Sequence, residues 1–208
     1  MSDHSVAKSY GAKNAEEAEA AYDDWAASYE PDLCKAGYRL PGHLATVFTR
    51  FVPPDATPIL DAGCGGGIQT EALKLVGYRG ITGIDFSEGM LAVARAKGLY
   101  DELRRMVMGK ALDLPGDHFA AVLSCGCITP GHAPANSFDE LIRVCRPGGL
   151  IVFSLRNDPG QDPAYPAALE RLEAAGAWQP LFATPGFQSL PYGEKEVSHR
   201  VHVYRVTG

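Results

Sequence analysis

At 208 residues the chain has the length of one domain with a substantial core, and two independent domains would each be small. With 46% hydrophobic and 21% charged residues its composition is that of an ordinary globular protein, which excludes a largely disordered chain. A formal net charge of −6 works against a broad phosphate-neutralising surface, so nucleic acid is not an expected partner, whereas a small molecule or a protein is.

Met1 to Gly11 is polar, without the apolar core of a signal segment, and no run of about 18 apolar residues follows anywhere. Between Ala15 and Tyr29, residues Ala18, Ala21, Tyr22, Trp25, Ala26 and Tyr29 recur at helical spacing and predict an amphipathic helix ahead of the core. A second helix is predicted from Gly42 to Phe51, where Pro53, Pro54 and Pro58 stop it and deliver an extended chain. Strand one is Pro58 to Ala62, followed by a glycine-rich loop and a helix over Gln69 to Val76. Strand two, Gly80 to Ile84, ends at the acid Asp85, and Ser87 caps a helix running to about Lys97 with Met90, Leu91 and Ala94 on its buried side. Met106 to Gly109 is a weak third strand, Ala120 to Cys125 a fourth, Ala135 to Cys145 a helix, and Leu150 to Ser154 a fifth strand. After a helix near Ala164 to Ala175 come two extended segments, Trp178 to Gln188 and Val197 to Val206, joined through Pro191-Tyr192-Gly193 as an antiparallel hairpin.

Short apolar strands alternating with helices predict an α/β fold, a Rossmann-like, doubly wound, mostly parallel seven-stranded sheet covered on both faces. One domain is expected over 1–208, with N-terminal helices and lid over 1–52 and the core over 53–208. Five cysteines, Cys34, Cys64, Cys125, Cys127 and Cys145, show no CxxC spacing, which predicts neither a disulfide framework nor a zinc site. A reduced, cytoplasmic, membrane-independent protein is the expectation.

The strongest chemical signal is Ile59-Leu60-Asp61-Ala62-Gly63-Cys64-Gly65-Gly66-Gly67, where a buried strand turns into a helix. Glycines there let the backbone approach a ligand and adopt dihedrals closed to other residues. A dinucleotide fingerprint would place its third glycine or alanine at position 68, which is Ile68, and this argues against NAD. Asp85 follows Gly63 by 22 residues at the end of strand two, where an acid accepts hydrogen bonds from ribose hydroxyls. Loop and acid together define a nucleoside pocket.

On these residues the chain resembles the class I S-adenosylmethionine-dependent methyltransferases. The resemblance implies that Asp61, Gly63, Cys64, Gly65 and Gly67 form the cofactor loop, with Gly66 where a Thr or Ser is usual, and that Asp85 holds the ribose beside Phe86 and Met90. Gly109-Lys110-Ala111-Leu112-Asp113-Leu114-Pro115 resembles the family's segment after strand three. Lys110 stands where an acid often meets the adenine amine, so Ala111, Leu112 and Asp113 are left as the adenine contacts. Val122 to Gly126 resembles the strand whose end lies beside the reactive methyl group, bringing in Ser124, Cys125 and Gly126, and Ala120 replaces a frequent structural aspartate. Arg146-Pro147-Gly148-Gly149-Leu150 resembles the turn into strand five. The N-terminal Tyr22-Asp23-x-Trp25-Ala26-x-x-Tyr29 and Gly37-Tyr38-Arg39 resemble the lid of small-molecule methyltransferases, implying contacts from Tyr29, Tyr38 and Arg39. Together with Gly131-His132-Ala133-Pro134 they also resemble the methyltransferase-like proteins of the Williams–Beuren chromosomal region.

Methyl transfer is a displacement at a sulfonium carbon, so alignment in a dry pocket is the main demand, with a base for an acceptor that must lose a proton. His132, in the loop after strand four, is the candidate base. His199 and His202 lie three residues apart on a predicted strand, on opposite faces, and form no metal pair; no metal is expected. The expected cofactor is S-adenosylmethionine, leaving as S-adenosylhomocysteine, and the expected partner is a small-molecule acceptor with an O, N or S nucleophile, the chain being a monomer or homodimer. A protein methyltransferase and a non-catalytic cofactor-binding module are the alternatives.

Overall fold

The computed structural model describes residues 15–208. Among the described residues three helices precede the sheet: α1 (Ala15–Trp25), α2 (Tyr29–Lys35) and α3 (Leu40–Phe51). Alternation then sets in with β1 (Ile59–Ala62), α4 (Ile68–Leu75), β2 (Ile81–Asp85), α5 (Glu88–Lys97), β3 (Glu102–Arg105), β4 (Phe119–Ser124), α6 (Ser137–Val144) and β5 (Cys145–Arg156). It closes with α7 (Ala164–Ala174), β6 (Trp178–Ala183), the two-residue β7 (Phe187–Gln188) and β8 (Ser198–Val206). The sheet order is β3-β2-β1-β4-β5-β8-β6, with β7 pairing β8 off this path. β1 to β5 are mutually parallel, and β8 runs antiparallel to β5, β6 and β7. The predicted doubly wound sheet with an antiparallel C-terminal pair is therefore present, and β7 makes it eight-stranded rather than seven-stranded.

Each face of the sheet has its own core. On one, Phe138, Phe153, Trp178 and Tyr204 pack with Leu141, Val144, Leu169 and Leu172 of α6 and α7. Ring pairs Phe138–Phe153 and Phe138–Trp178 lie 5.0 and 5.4 Å apart. On the other, Leu40, Leu44 and Phe48 of α3 pack with Leu73 of α4 and the sheet residues Ile59, Ile81, Val201 and Val203. The fully buried runs of β1 and β4 are what coverage on both faces demands.

Four boundaries differ from expectation, each for a local reason. The third strand lies four residues upstream of Met106–Gly109, because Glu102–Arg105 is a half-exposed edge strand whose charged side chains hide the strand signal. The first predicted helix breaks after Trp25, and a short α2 begins at Tyr29 with Pro31 in its first turn, too brief for a periodic pattern. β5 reaches back to Cys145 through an outlooping at Arg146–Gly149, the register jumping from Phe119↔Cys145 to Ala121↔Leu150. β6 carries a bulge between Pro180 and Phe182, where proline lacks the N–H for a regular ladder.

The chain reverses direction of growth at β1, with β2 and β3 on one side and β4 and β5 on the other. That switch point opens a crevice at the carboxyl ends of β1 and β4. Phe138 of α6, wholly buried against Phe153 and Trp178 of the sheet, tests this core. Phe138→Ala is expected to lower the unfolding free energy by about 3–5 kcal/mol in urea titration. A loss below about 1 kcal/mol contradicts this packing.

Candidate active site

The glycine loop leaves β1 and is fastened to the end of β2. Gly63 and Cys64 both donate their N–H to the Ile84 carbonyl at 2.9 Å. Gly65 N–H donates to Asp85 Oδ2 at 2.8 Å, and Ser87 N–H to Oδ1 at 3.0 Å. Gly63 has φ +75 and lies against Cys127, so a Cβ there would overlap the thiol side chain; Gly65 has φ +51. Burial pushes the Asp85 carboxyl up to about 6, against the N–H donors of Ser87, Gly65 and Phe86. A carboxylate offers about four acceptor positions, so at least one is left for a ligand.

Asp61 works from behind the loop. It is fully buried and accepts from Gln69 Nε2 (3.0 and 2.9 Å), Thr70 Oγ1 (2.7 Å) and Tyr100 OH (2.8 Å). These bonds tie the end of β1 to the first turn of α4 and raise Asp61 out of reach of the crevice; desolvation also raises its pKa. At the mouth of α4 the lid carboxylate of Glu30 stands against Gly66, where an added Cβ would lie 2.9 Å from Oε1. A pyrophosphate on that helix N-terminus would meet a carboxylate, which strengthens the argument from Ile68 against a dinucleotide.

The lid is pinned from above the sheet. Asp23 accepts from Ser87 Oγ (2.5 Å) and Gly89 N–H (2.9 Å) at the N-terminus of α5. Glu19 pairs with Arg105 (2.6 Å), and Lys97 bridges Glu30 (2.5 Å) and Glu71 (2.7 Å). Trp25, Leu33 and Leu190 form a small separate core with Tyr22, Tyr29 and Tyr38 around it.

Two cavities lie under this lid. The first is lined by Gly63, Gly65, Asp85, Phe86 and Met90 below, by Cys125, Gly126, Cys127 and His132 from the β4 side, and by Tyr22 and Tyr29 above. The second is lined by Tyr22, Trp25, Tyr29, Leu33, Tyr38, Leu40, Gly126, Ser189, Leu190 and His199. Tyr22, Tyr29 and Gly126 belong to both.

The other residues singled out from the sequence are placed as follows. Cys64 and Gly67 are buried within the turn, Gly67 as the left-handed N-cap of α4, and Ser124 spends its hydroxyl on the Ala62 carbonyl at 2.8 Å. Leu112 is a core residue whose N–H goes to Glu140 (2.8 Å), while Ala111 and Asp113 are exposed and line neither cavity. Arg39 is exposed, serving α3 as its N-cap. His132 is buried, with Nδ1 2.9 Å from Thr129 Oγ1 and its ring edge-on to Tyr22 and Phe86 at 5.1 and 6.0 Å. It lines the first cavity and not the second, and burial lowers its pKa, leaving a neutral ring at pH 7. Sequence reasoning missed Cys127, Ser189, Leu190 and His199. The alternation of β8 places His199 on the Val201 and Val203 face, but nothing local says that this face reaches the crevice.

The Methyltransferase domain family matches residues 60–153, which run from the glycine loop through β5. The chain belongs to the class I S-adenosylmethionine-dependent methyltransferases, and S-adenosylmethionine is its cofactor. It is 37% identical over 170 residues to methyltransferase-like protein 27 of Homo sapiens, covering 79% of this chain and 69% of that one. It is also 37% identical over 134 residues to phosphatidylethanolamine N-methyltransferase of Cereibacter sphaeroides, covering 60% and 64%. The fold matches that of Burkholderia thailandensis 1,6-didemethyltoxoflavin-N1-methyltransferase, which holds 1,6-didemethyltoxoflavin and S-adenosylhomocysteine, with a TM-score of 0.64 at 22% identity over 95% of this chain and 92% of that one.

The first cavity fits such a cofactor: a backbone stripped of Cβ at Gly63, a buried carboxylate with acceptor capacity at Asp85, and apolar cover from Phe86 and Met90. Gly63→Ala is expected to weaken S-adenosylhomocysteine binding at least tenfold by calorimetry and to cost about 1–3 kcal/mol of stability, through positive φ and overlap with Cys127. Unchanged affinity contradicts the close approach.

Proposed function

We propose that the enzyme methylates a small molecule enclosed in the second cavity, with the cofactor in the first. The observation that carries this reading is that the two cavities meet at Gly126, Tyr22 and Tyr29, next to the end of β4 and beneath a pinned lid. S-adenosylmethionine brings the electrophilic methyl group on its sulfonium sulfur. Asp85 accepts the ribose hydroxyls while keeping Gly65 in place, Gly63 and Gly65 let the methionine portion lie on backbone, and Phe86 and Met90 cover the apolar part. Tyr22 and Tyr29 keep water from the junction, and the Cys125-Gly126-Cys127 wall sets how closely the acceptor approaches. His132 lines the first cavity and not the second, which supports a contact role rather than that of acceptor base. The five free thiols accord with a reducing cytoplasm. Among the described residues no helix is long and apolar enough to cross a membrane.

Radiolabelled methyl from S-adenosylmethionine, supplied with a cell extract split into metabolites and proteins, is expected to appear in the metabolite fraction. Label confined to protein contradicts the small acceptor. A second test follows from Asp85. Its folded pKa of about 6 exceeds the ordinary 3.8, so its contribution to stability is full below pH 3.8 and is lost as pH rises through about 6. Ribose hydroxyls favour the ionised form, so S-adenosylhomocysteine affinity is expected to fall as pH drops below about 6, and Asp85→Asn to flatten that dependence. A dependence unchanged in Asp85→Asn assigns it to another group.

A further inference from the structure

The second cavity holds a polar pair that cofactor binding does not use. His199, 4% exposed on β8, places Nδ1 2.9 Å from the hydroxyl of fully buried Ser189. That bond fixes the ring and leaves Nε2 as its other polar atom in a cavity whose walls are Tyr22, Trp25, Tyr29 and Tyr38. Among the described residues no carboxylate, lysine or arginine lines it. The nearest cation on the neighbouring strand, Arg156, faces His199 across the β5–β8 ladder and is engaged by Asp158 at 2.6 Å.

We propose that His199, oriented through Nδ1 by Ser189, receives the proton of the methyl acceptor, and that this acceptor is an uncharged aromatic molecule carrying a hydroxyl. The inference rests on the methyltransferase reading above. Tyrosine and tryptophan rings offer flat apolar faces and edges suited to an aromatic guest. A carboxylate in this cavity would lack a cation and an ammonium a carboxylate, so charge on the guest is costly. Burial and the Arg156 charge hold His199 at about 4, leaving it neutral and able to accept a hydrogen bond at physiological pH. In the transfer, the hydroxyl oxygen supplies an electron pair to the methyl carbon, and the carbon–sulfur bond breaks with its pair passing to sulfur to leave S-adenosylhomocysteine. The hydroxyl proton, made strongly acidic as the new bond forms, goes to His199 Nε2 and then to water on product release, so an imidazole of low basicity suffices.

The test is a fluorescence titration of the protein saturated with S-adenosylhomocysteine, using naphthol, naphthoate and naphthylmethylamine as probes. Naphthol is expected to bind at least about tenfold more tightly than either charged probe. His199→Phe should weaken naphthol binding by about tenfold and lower its methylation at least as far while S-adenosylhomocysteine affinity stays unchanged, and His199→Asn provides the same test of methylation if the larger ring disturbs folding. Ser189→Ala is expected to keep naphthol affinity within about twofold and to lower kcat for its methylation by about tenfold or more, the split of a positioning residue. Preference for a charged probe, absence of naphthol binding, absence of naphthol methylation, or methylation undiminished in both His199 variants would overturn the proposal. Failure of the wild-type protein to bind S-adenosylhomocysteine would instead overturn the two-cavity reading on which it rests.

Discussion

The last two residues of β2 hold the glycine loop in place, and the site is arranged around that attachment. Ile84 gives one carbonyl to two loop N–H groups, and Asp85 gives one carboxylate oxygen to a third. A loop with positive φ at Gly63 and Gly65 has no ladder of its own, and its buried N–H groups need partners from elsewhere. Because the partner for Gly65 is the side chain proposed to hold the ribose, formation of the loop and formation of the nucleoside pocket become one event. Asp61 does the equivalent behind the loop, through Gln69, Thr70 and Tyr100, without touching the cavity. The two buried carboxylates thus divide the labour between scaffold and ligand.

The lid is built on a different principle. Its own core is small, around Trp25, Leu33 and Leu190, and it meets the body through Asp23 at the α5 N-terminus and through the Glu19–Arg105 and Glu30–Lys97 pairs. Exposed and half-exposed ion pairs contribute little each and weaken with salt, so the packing of Tyr22 on Phe86 and His132 and of Trp25 on Leu190 carries more of the attachment. A cofactor sealed beneath Tyr22 and Tyr29 needs a cover of this kind. The aromatic residues that pack the lid are also those that line both cavities, so packing and enclosure are the same contacts here.

What the sequence revealed follows the reach of its signals. The glycine loop, Asp85 and the β1–β4–β5 apolar runs act through neighbours in the chain or through the sheet they build, and their places were legible from spacing. The edge strand β3 was misplaced because charged residues on an exposed edge carry no alternation to read. Asp61, Gly67 and Ser124 carry the motif, and the bonds they make within the scaffold are legible only once the fold is known. Ser189 and His199 were illegible as site residues: they meet at the crevice because β8 inserts antiparallel beside β5, and no local pattern encodes that encounter.

The central claim is that Asp85 serves loop and cofactor at once. Carboxyl carbon NMR of Asp85, assigned by comparison with Asp85→Asn and titrated with and without S-adenosylhomocysteine, tests it most directly. A midpoint near 6 is expected in the free protein, moving downward when the ligand binds, because the ribose hydroxyls favour the ionised carboxylate. A midpoint that stays where it was on saturation would contradict it.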